Sequence, residues 1–323
     1  MNWQIQVPIP QYPFSLSRSD RVFTLGSCFA QHMADRLLHY KFSCASNSYG
    51  TLFHPIPLLQ NLTDALKQVD IDEALFLERD ETAFHYSCHS SVWAESKNDL
   101  KKKLQELQLS VAKELKESKL LILTFGTAFL YQLVSGKPVA NCHKQPKHTF
   151  TKGLSSPKEI QNVFHSFYTE LKKQNPKIQI LLTVSPVRHI RDGVHENNLS
   201  KSALLLACDA IQNTFEDLHY FPAYEIVMDE LRDYRFYEKD RVHPNDEALA
   251  YVWDKFSEAI LTKDSLNLNR DLDKLFLSIN HKAFIETSMA HKCFLQKTMA
   301  SALALNEKVD LKEEIKELKK RLQ

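Results

Sequence analysis

The sequence lacks the features that would place its 323 residues in a specialised class. Charge is almost balanced, with 41 Lys and Arg against 40 Asp and Glu, so nothing electrostatic calls for nucleic acid or an anionic membrane surface as partner. No apolar run approaches the ~20 residues needed to span a bilayer. The opening residues Met1 to Pro8 contain neither the basic stretch nor the apolar core of a secretory leader. Six cysteines (Cys28, Cys44, Cys88, Cys142, Cys208 and Cys293) include no C-x-x-C pair. Without an export signal they read as reduced thiols, and a cytoplasmic location is the expectation. Internal repeats and low-complexity tracts are also missing. What remains is ordinary globular composition, 43% hydrophobic and 25% charged. The length allows one large core, with or without accessories.

What is present is an alternation of strands and helices. Residues 21–25 form a short apolar strand, and residues 28–40 then carry Phe29, Met33, Leu37 and Tyr40 at helical spacing. Residues 120–125 and 178–184 are continuous apolar runs, as buried strands require. Residues 224–229 read as a shorter third strand. Helices are expected over 157–175, opened by Ser156 before Pro157, over 200–218, and from Asp246 to about 260. This order predicts an α/β chain: a three-layer α/β/α sandwich on a mostly parallel sheet, spanning residues 1–265. Residues 70–116, part hairpin and part charged amphipathic helix, read as an insertion that either lids the site or only elaborates the surface. Residues 266–323 form a helical extension. Its Leu311, Ile315, Leu318 and Leu322 repeat at four, three and four, a seam too short to be stable alone. That seam either packs back on the body or joins two copies as a homo-oligomer.

Two stretches carry chemistry. In Phe23-Thr24-Leu25-Gly26-Ser27-Cys28-Phe29-Ala30, a hydroxyl stands where a strand becomes a helix. The unpaired N–H groups and positive dipole end of that helix favour an anion, such as the oxyanion formed when a serine attacks an ester. The plainer reading makes Ser27 an N-cap and nothing more. Cys28 is a rival nucleophile, since a helix N-terminus lowers a thiol's pKa. The second stretch is Lys239-Asp240-Arg241-Val242-His243-Pro244-Asn245, before the last helix of the sandwich. Asp240 can hold one imidazole nitrogen of His243 while the other faces a nucleophile. Neither this D-x-x-H nor Cys142-His143 has a zinc-ligand spacing, so no metal is expected.

A serine on an early strand–helix turn with a late D-x-x-H is the layout of the SGNH or GDSL hydrolases, and Gly26-Ser27-Cys28-Phe29-Ala30 closely resembles the signature of that superfamily's GSCFA branch. The resemblance continues through Tyr49-Gly50-Thr51-Leu52-Phe53-His54-Pro55, Leu123-Thr124-Phe125-Gly126-Thr127-Ala128, Val139-Ala140-Asn141-Cys142-His143-Lys144 and Thr183-Val184-Ser185-Pro186-Val187-Arg188. It implies a flavodoxin-like SGNH sandwich and a cofactor-free hydrolase or acyltransferase. The substrate would be an O-acyl ester of a small or carbohydrate-like molecule. Ser27, Asp240 and His243 would be the catalytic triad, with backbone N–H groups of Ser27 or its neighbour and of Gly50 forming the oxyanion hole. The chain departs from the superfamily at Gly126-Thr127-Ala128, where most members carry G-x-N. The missing amide leaves Asn141 or His143 as its replacement, or the two as a loop network. It also keeps open a non-catalytic binding module. Arg188 and His189 are further candidates for substrate contact. His54, His85 and His89 are expected to be bystanders.

Overall fold

The computed structural model describes residues 5–322. Five parallel strands form the central sheet: β1 (Arg21–Gly26), β2 (Ser43–Ser46), β5 (Leu120–Phe125), β9 (Gln179–Val184) and β10 (Leu218–Tyr220). Their spatial order is β10-β9-β5-β1-β2, which renumbered along the sheet's own strands is the flavodoxin-like 2-1-3-4-5. Alternate residues of the inner strands enter two cores. On one face Phe23, Leu25, Leu123 and Leu182 meet α2 (Pro55–Lys67), α3 (Lys97–Glu117), α4 (Pro157–Gln174) and α5 (Val194–Gln212). On the other, Val22, Leu120, Ile122 and Leu181 meet α1 (Cys28–His39) and, past the short α6 (Ala223–Glu225), α7 (Asp246–Ile260). The three-layer sandwich is therefore as the alternation predicts. Strand order reverses between β1 and β5, and open α/β sheets bind ligands beyond the strand ends at such a switch point.

Two small antiparallel sheets stand apart from the main one. A hairpin of β3 (Phe76–Arg79) and β4 (Thr82–His85) follows α2, and β6 (Phe129–Leu133), β7 (Pro138–Val139) and β8 (Phe150–Leu154) form a three-stranded sheet after β5. Of the expected 70–116 insertion, α3 is a layer helix of the sandwich. Its Leu100, Leu104, Val111 and Leu115 are buried in the main core, and Arg21 at the start of β1 pairs with its Glu114 at 2.6 Å. Only the hairpin part lies outside the layers.

The expected strand at 224–229 is instead helical, α6 running into a π-helical turn over Ile226–Glu230. Ala223, Ile226, Val227 and Glu230 are the buried positions, and that spacing is a helix's. The true edge strand is β10, and the helix expected to end at 218 ends at Gln212.

The C-terminal helices α8 (Lys263–Asn280), α9 (Met289–Asn306) and α10 (Lys312–Leu322) pack beyond α1 and α7. Leu311 and Leu318 are fully buried there and Ile315 nearly so. Lys41 reaches Glu314 at 2.5 Å, and Arg321 donates to the Ile279 carbonyl. Of the two fates open to the leucine seam, it packs on the chain's own body. Among the described residues no helix is long and apolar enough to cross a membrane.

Candidate active site

Gly26 ends β1 at φ +134°, and a Cβ there would stand 2.0 Å from the Thr124 carbonyl oxygen of the neighbouring β5. Only glycine lets the two strand ends approach so closely. The turn is then pinned on both sides: Ser27 N–H donates to Thr124 O at 3.1 Å, and Gly26 N–H donates to Asn47 Oδ1 at 2.9 Å. Ser27 has the backbone of an N-cap, yet its side chain makes no capping bond. It is 1% exposed, and its Oγ has no hydrogen-bond partner among the described residues. The buried hydroxyls of Thr24, Thr124 and Thr183 on the strands beside it are unpartnered too, so what sets Ser27 apart is that it holds the N-cap position without capping, which the plain N-cap reading does not account for.

Cys28 beside it is half-buried. Its sulfur faces the N–H groups of Phe29 and Cys28 and feels the charge of Lys201, all of which favour a thiolate, but burial is the larger effect and pushes the thiol above its ordinary pKa. The rival nucleophile thus loses its advantage.

The Asp240–His243 pair is formed, with His243 Nδ1 2.6 Å from Asp240 Oδ2. The other carboxylate oxygen accepts the N–H groups of Val242 at 2.9 Å and His243 at 3.0 Å. These hydrogen bonds, with that to the imidazole, hold Asp240 down to about 2. A left-handed Arg241 (φ 62°) makes the tight turn between them, and Asn245 caps α7 directly after, accepting from Ala248 N–H at 3.1 Å. Both side chains are half-exposed. Ser27 Oγ and His243 do not hydrogen-bond each other. His189 lies alongside: burial, then the Lys201 charge and more weakly His243, push its imidazole down to about 4.

Gly50 (φ +72°) lets the segment after the hairpin press against it, since a Cβ would lie 2.4 Å from His89 Cβ. Its N–H is spent on Asn47 O at 2.7 Å, as that of Ser27 is on Thr124. The N–H groups of Gly126 and Thr127 both go to Phe53 O, at 2.8 and 3.1 Å. The first N–H groups of α1, those of Cys28 and Phe29, face the Cys28 sulfur and have no backbone acceptor among the described residues. Asn141 and His143 are knitted to one another and to the hairpin. Asn141 Oδ1 accepts His143 N–H at 2.8 Å. His143 is buried with its nitrogens 3.0 Å from His85 O and 3.2 Å from Ser90 Oγ. No hydrogen bond brings either residue to Ser27. His54 and His85 are buried and satisfied: His54 Nδ1 accepts Ile56 N–H at 3.1 Å to cap α2, and His85 lies 2.7 Å from Ser87 Oγ. His89 is the half-buried member, 3.0 Å from Ser91 Oγ.

The residue that sequence reasoning missed is Lys201. It is 1% exposed, and its ammonium donates to Gly126 O at 2.6 Å and Ser185 O at 2.7 Å, tying together the chain leaving β5 and β9. Neighbouring Ser200 accepts Ala128 N–H at 2.8 Å. The signal was legible: Asn197, Ser200 and Lys201 share the buried stripe of α5 with Leu204, Cys208 and Ile211. A lysine on an apolar stripe is rarely buried without a reason. Expecting the helix to begin at Ser200 hid it. Among the described residues no three His, Cys, Asp or Glu side chains converge as metal ligands.

The sequence model described as the GSCFA family matches residues 21–256. A second, described as the GSCFA domain protein C-terminal domain, matches residues 272–323. No curated protein matches. Among solved structures, the chain is similar to an acetyl xylan esterase from the rumen bacterium Butyrivibrio proteoclasticus at 10% identity and a TM-score of 0.36. The match covers 78% of this chain and 66% of that one, just under two thirds of its length.

Proposed function

The chain belongs to the GSCFA family, and from that premise we propose that it is a serine esterase of the SGNH type, acting on an O-acyl ester of a small or carbohydrate-like molecule. Ser27 Oγ attacks the acyl carbon and its proton passes to His243 Nε2, while Asp240 holds Nδ1 and steadies the imidazolium. The N–H groups of Cys28 and Phe29 at the start of α1 stabilise the oxyanion. Collapse expels the alcohol with the proton from His243, and water repeats the sequence on the acyl-enzyme. The observation that carries this reading is the unspent hydroxyl of Ser27, buried at the switch point of the sheet.

Half-exposure of the Asp240–His243 pair leaves water a route to the acyl-enzyme, which favours hydrolysis over transfer to another alcohol. The absent amide in Gly126-Thr127-Ala128 and the open Ser27–His243 bond favour a binding module instead; a preformed Asp–His pair has no use there. Turnover of p-nitrophenyl acetate and acetylated sugars separates the readings. The esterase reading expects saturable hydrolysis that falls by about 10³-fold or more in Ser27→Ala. Wild-type protein no faster than buffer across the panel would leave the binding module standing.

A further inference from the structure

Lys201 is a fully buried cation for which no carboxylate lies within ion-pair distance among the described residues. Removing a charge from water costs several kcal/mol even after relaxation, and two carbonyl oxygens repay only part of it. A purely structural clasp would not need the charge, because Ser185 N–H already donates to Phe125 O at 2.8 Å and joins the same two strand ends. The ammonium also sits close to the proposed chemistry: Gly126, whose carbonyl it holds at 2.6 Å, is two residues past Thr124, and Thr124 O accepts Ser27 N–H at 3.1 Å. Lys201 and the Cys28 thiol perturb each other: the ammonium favours the thiolate, and the thiolate favours the ammonium. Cys28 is the residue next to Ser27.

We infer that Lys201 is a positioning residue of the Ser27 site, fixing the Gly126 and Ser185 carbonyls and keeping a positive charge behind the Ser27–Cys28 turn, where negative charge develops. It takes over part of what the superfamily's G-x-N amide would supply, from inside the protein and without touching substrate. The same bonds aim the chain leaving β9 toward Arg188 and His189, both within reach of the Lys201 charge. Its kinetic consequence rests on the esterase reading, whereas its electrostatic consequence does not.

Cys28 is a built-in reporter, and exposed Cys293 an internal standard in the same molecule. The measurement is iodoacetamide alkylation at pH 6, below the value of about 7 to which burial pulls Lys201, read as the ratio of rates at Cys28 and Cys293 by peptide mass spectrometry. Lys201→Met should lower that ratio about three- to tenfold, since each unit of thiol pKa is about tenfold in thiolate. Lys201→Gln keeps a donor for the carbonyls without the charge and should lower it likewise; it serves if the Met variant does not fold. Lys201→Arg should hold the ratio near wild type. For an ester substrate, Lys201→Met should lower kcat about tenfold with KM little changed, because the charge acts on the developing oxyanion. A folded Met or Gln variant with the wild-type ratio overturns the inference whatever the turnover. A Lys201-dependent ratio in a wild type that turns over nothing sustains it and removes the esterase reading alone.

Discussion

The two halves of the proposed triad are built in opposite ways. Ser27 is fixed by backbone: a glycine no other residue can replace, strand ends in contact, and a buried hydroxyl without a hydrogen-bond partner among the described residues. Asp240 and His243 stand on a half-exposed loop and are fixed by side chains, every bond of the turn satisfied within five or six residues. One half stores unsatisfied hydrogen-bonding capacity inside the fold, and the other stores a preformed pair outside it. Damage to the backbone that holds Ser27 should appear as lost stability, and damage to the Asp240–His243 loop as lost chemistry.

The largest expected effect is Gly26→Ala. With φ at +134° and a Cβ 2.0 Å from a backbone oxygen, the strand ends must separate, at a cost of about 3 kcal/mol or more. Chemical denaturation should show a folded population greatly reduced or absent. A Gly26→Ala protein as stable as wild type would break the comparison at its strongest point. Next comes His243→Ala: ester turnover should fall about 10³–10⁴-fold, while the denaturation midpoint moves little, within about 0.5 kcal/mol for an exposed loop side chain. A large stability loss there would make the loop part of the core.

Much of this was legible in sequence. The strands at β1, β5 and β9 and the helices α1, α4 and α7 declare themselves because continuous apolar runs and helical stripes are long enough to count. Ser27, Asp240 and His243 could be singled out because they stand beside such boundaries. Edge strands β2 and β10 could not be read, one being Ser-Cys-Ala-Ser and the other three residues long. The 224–229 run misled because Ile226-Val227-Met228, three apolar residues in a row, fit a short strand as well as a buried helix. Lys201 and the bonding of Asn141 and His143 depend on tertiary contacts with Gly126, Ser185, His85 and Ser90, which no local pattern encodes.

Smaller effects follow from pH. Asp240 is held down to about 2, so its contribution to the loop is present above the unfolded carboxylate range and is lost only as pH falls through about 2. An acid limb of kcat/KM above pH 4 therefore does not report Asp240. Lys201 runs the other way. Burial first, and Arg188 after it, pull its pKa down to about 7 against the favourable pull of Cys28, while the neighbouring His189 is already neutral there. Between pH 7 and about 10 the unfolded chain binds the proton more tightly than the native one, so wild-type stability should rise with pH relative to Lys201→Met. Stability curves with the same pH slope in both proteins would place the ammonium in a wetter setting than the fold gives it.

Fluorophosphonate labelling with the modified residue mapped by mass spectrometry tests the central claim most directly, because the probe needs an activated nucleophile but no known substrate. The account predicts one phosphonylated residue, Ser27, in wild type and in Cys28→Ala, and none in Ser27→Ala. It also predicts labelling slowed about 10³-fold or more in His243→Ala. Label on Cys28, label persisting in Ser27→Ala, or wild-type labelling rates in His243→Ala would contradict it.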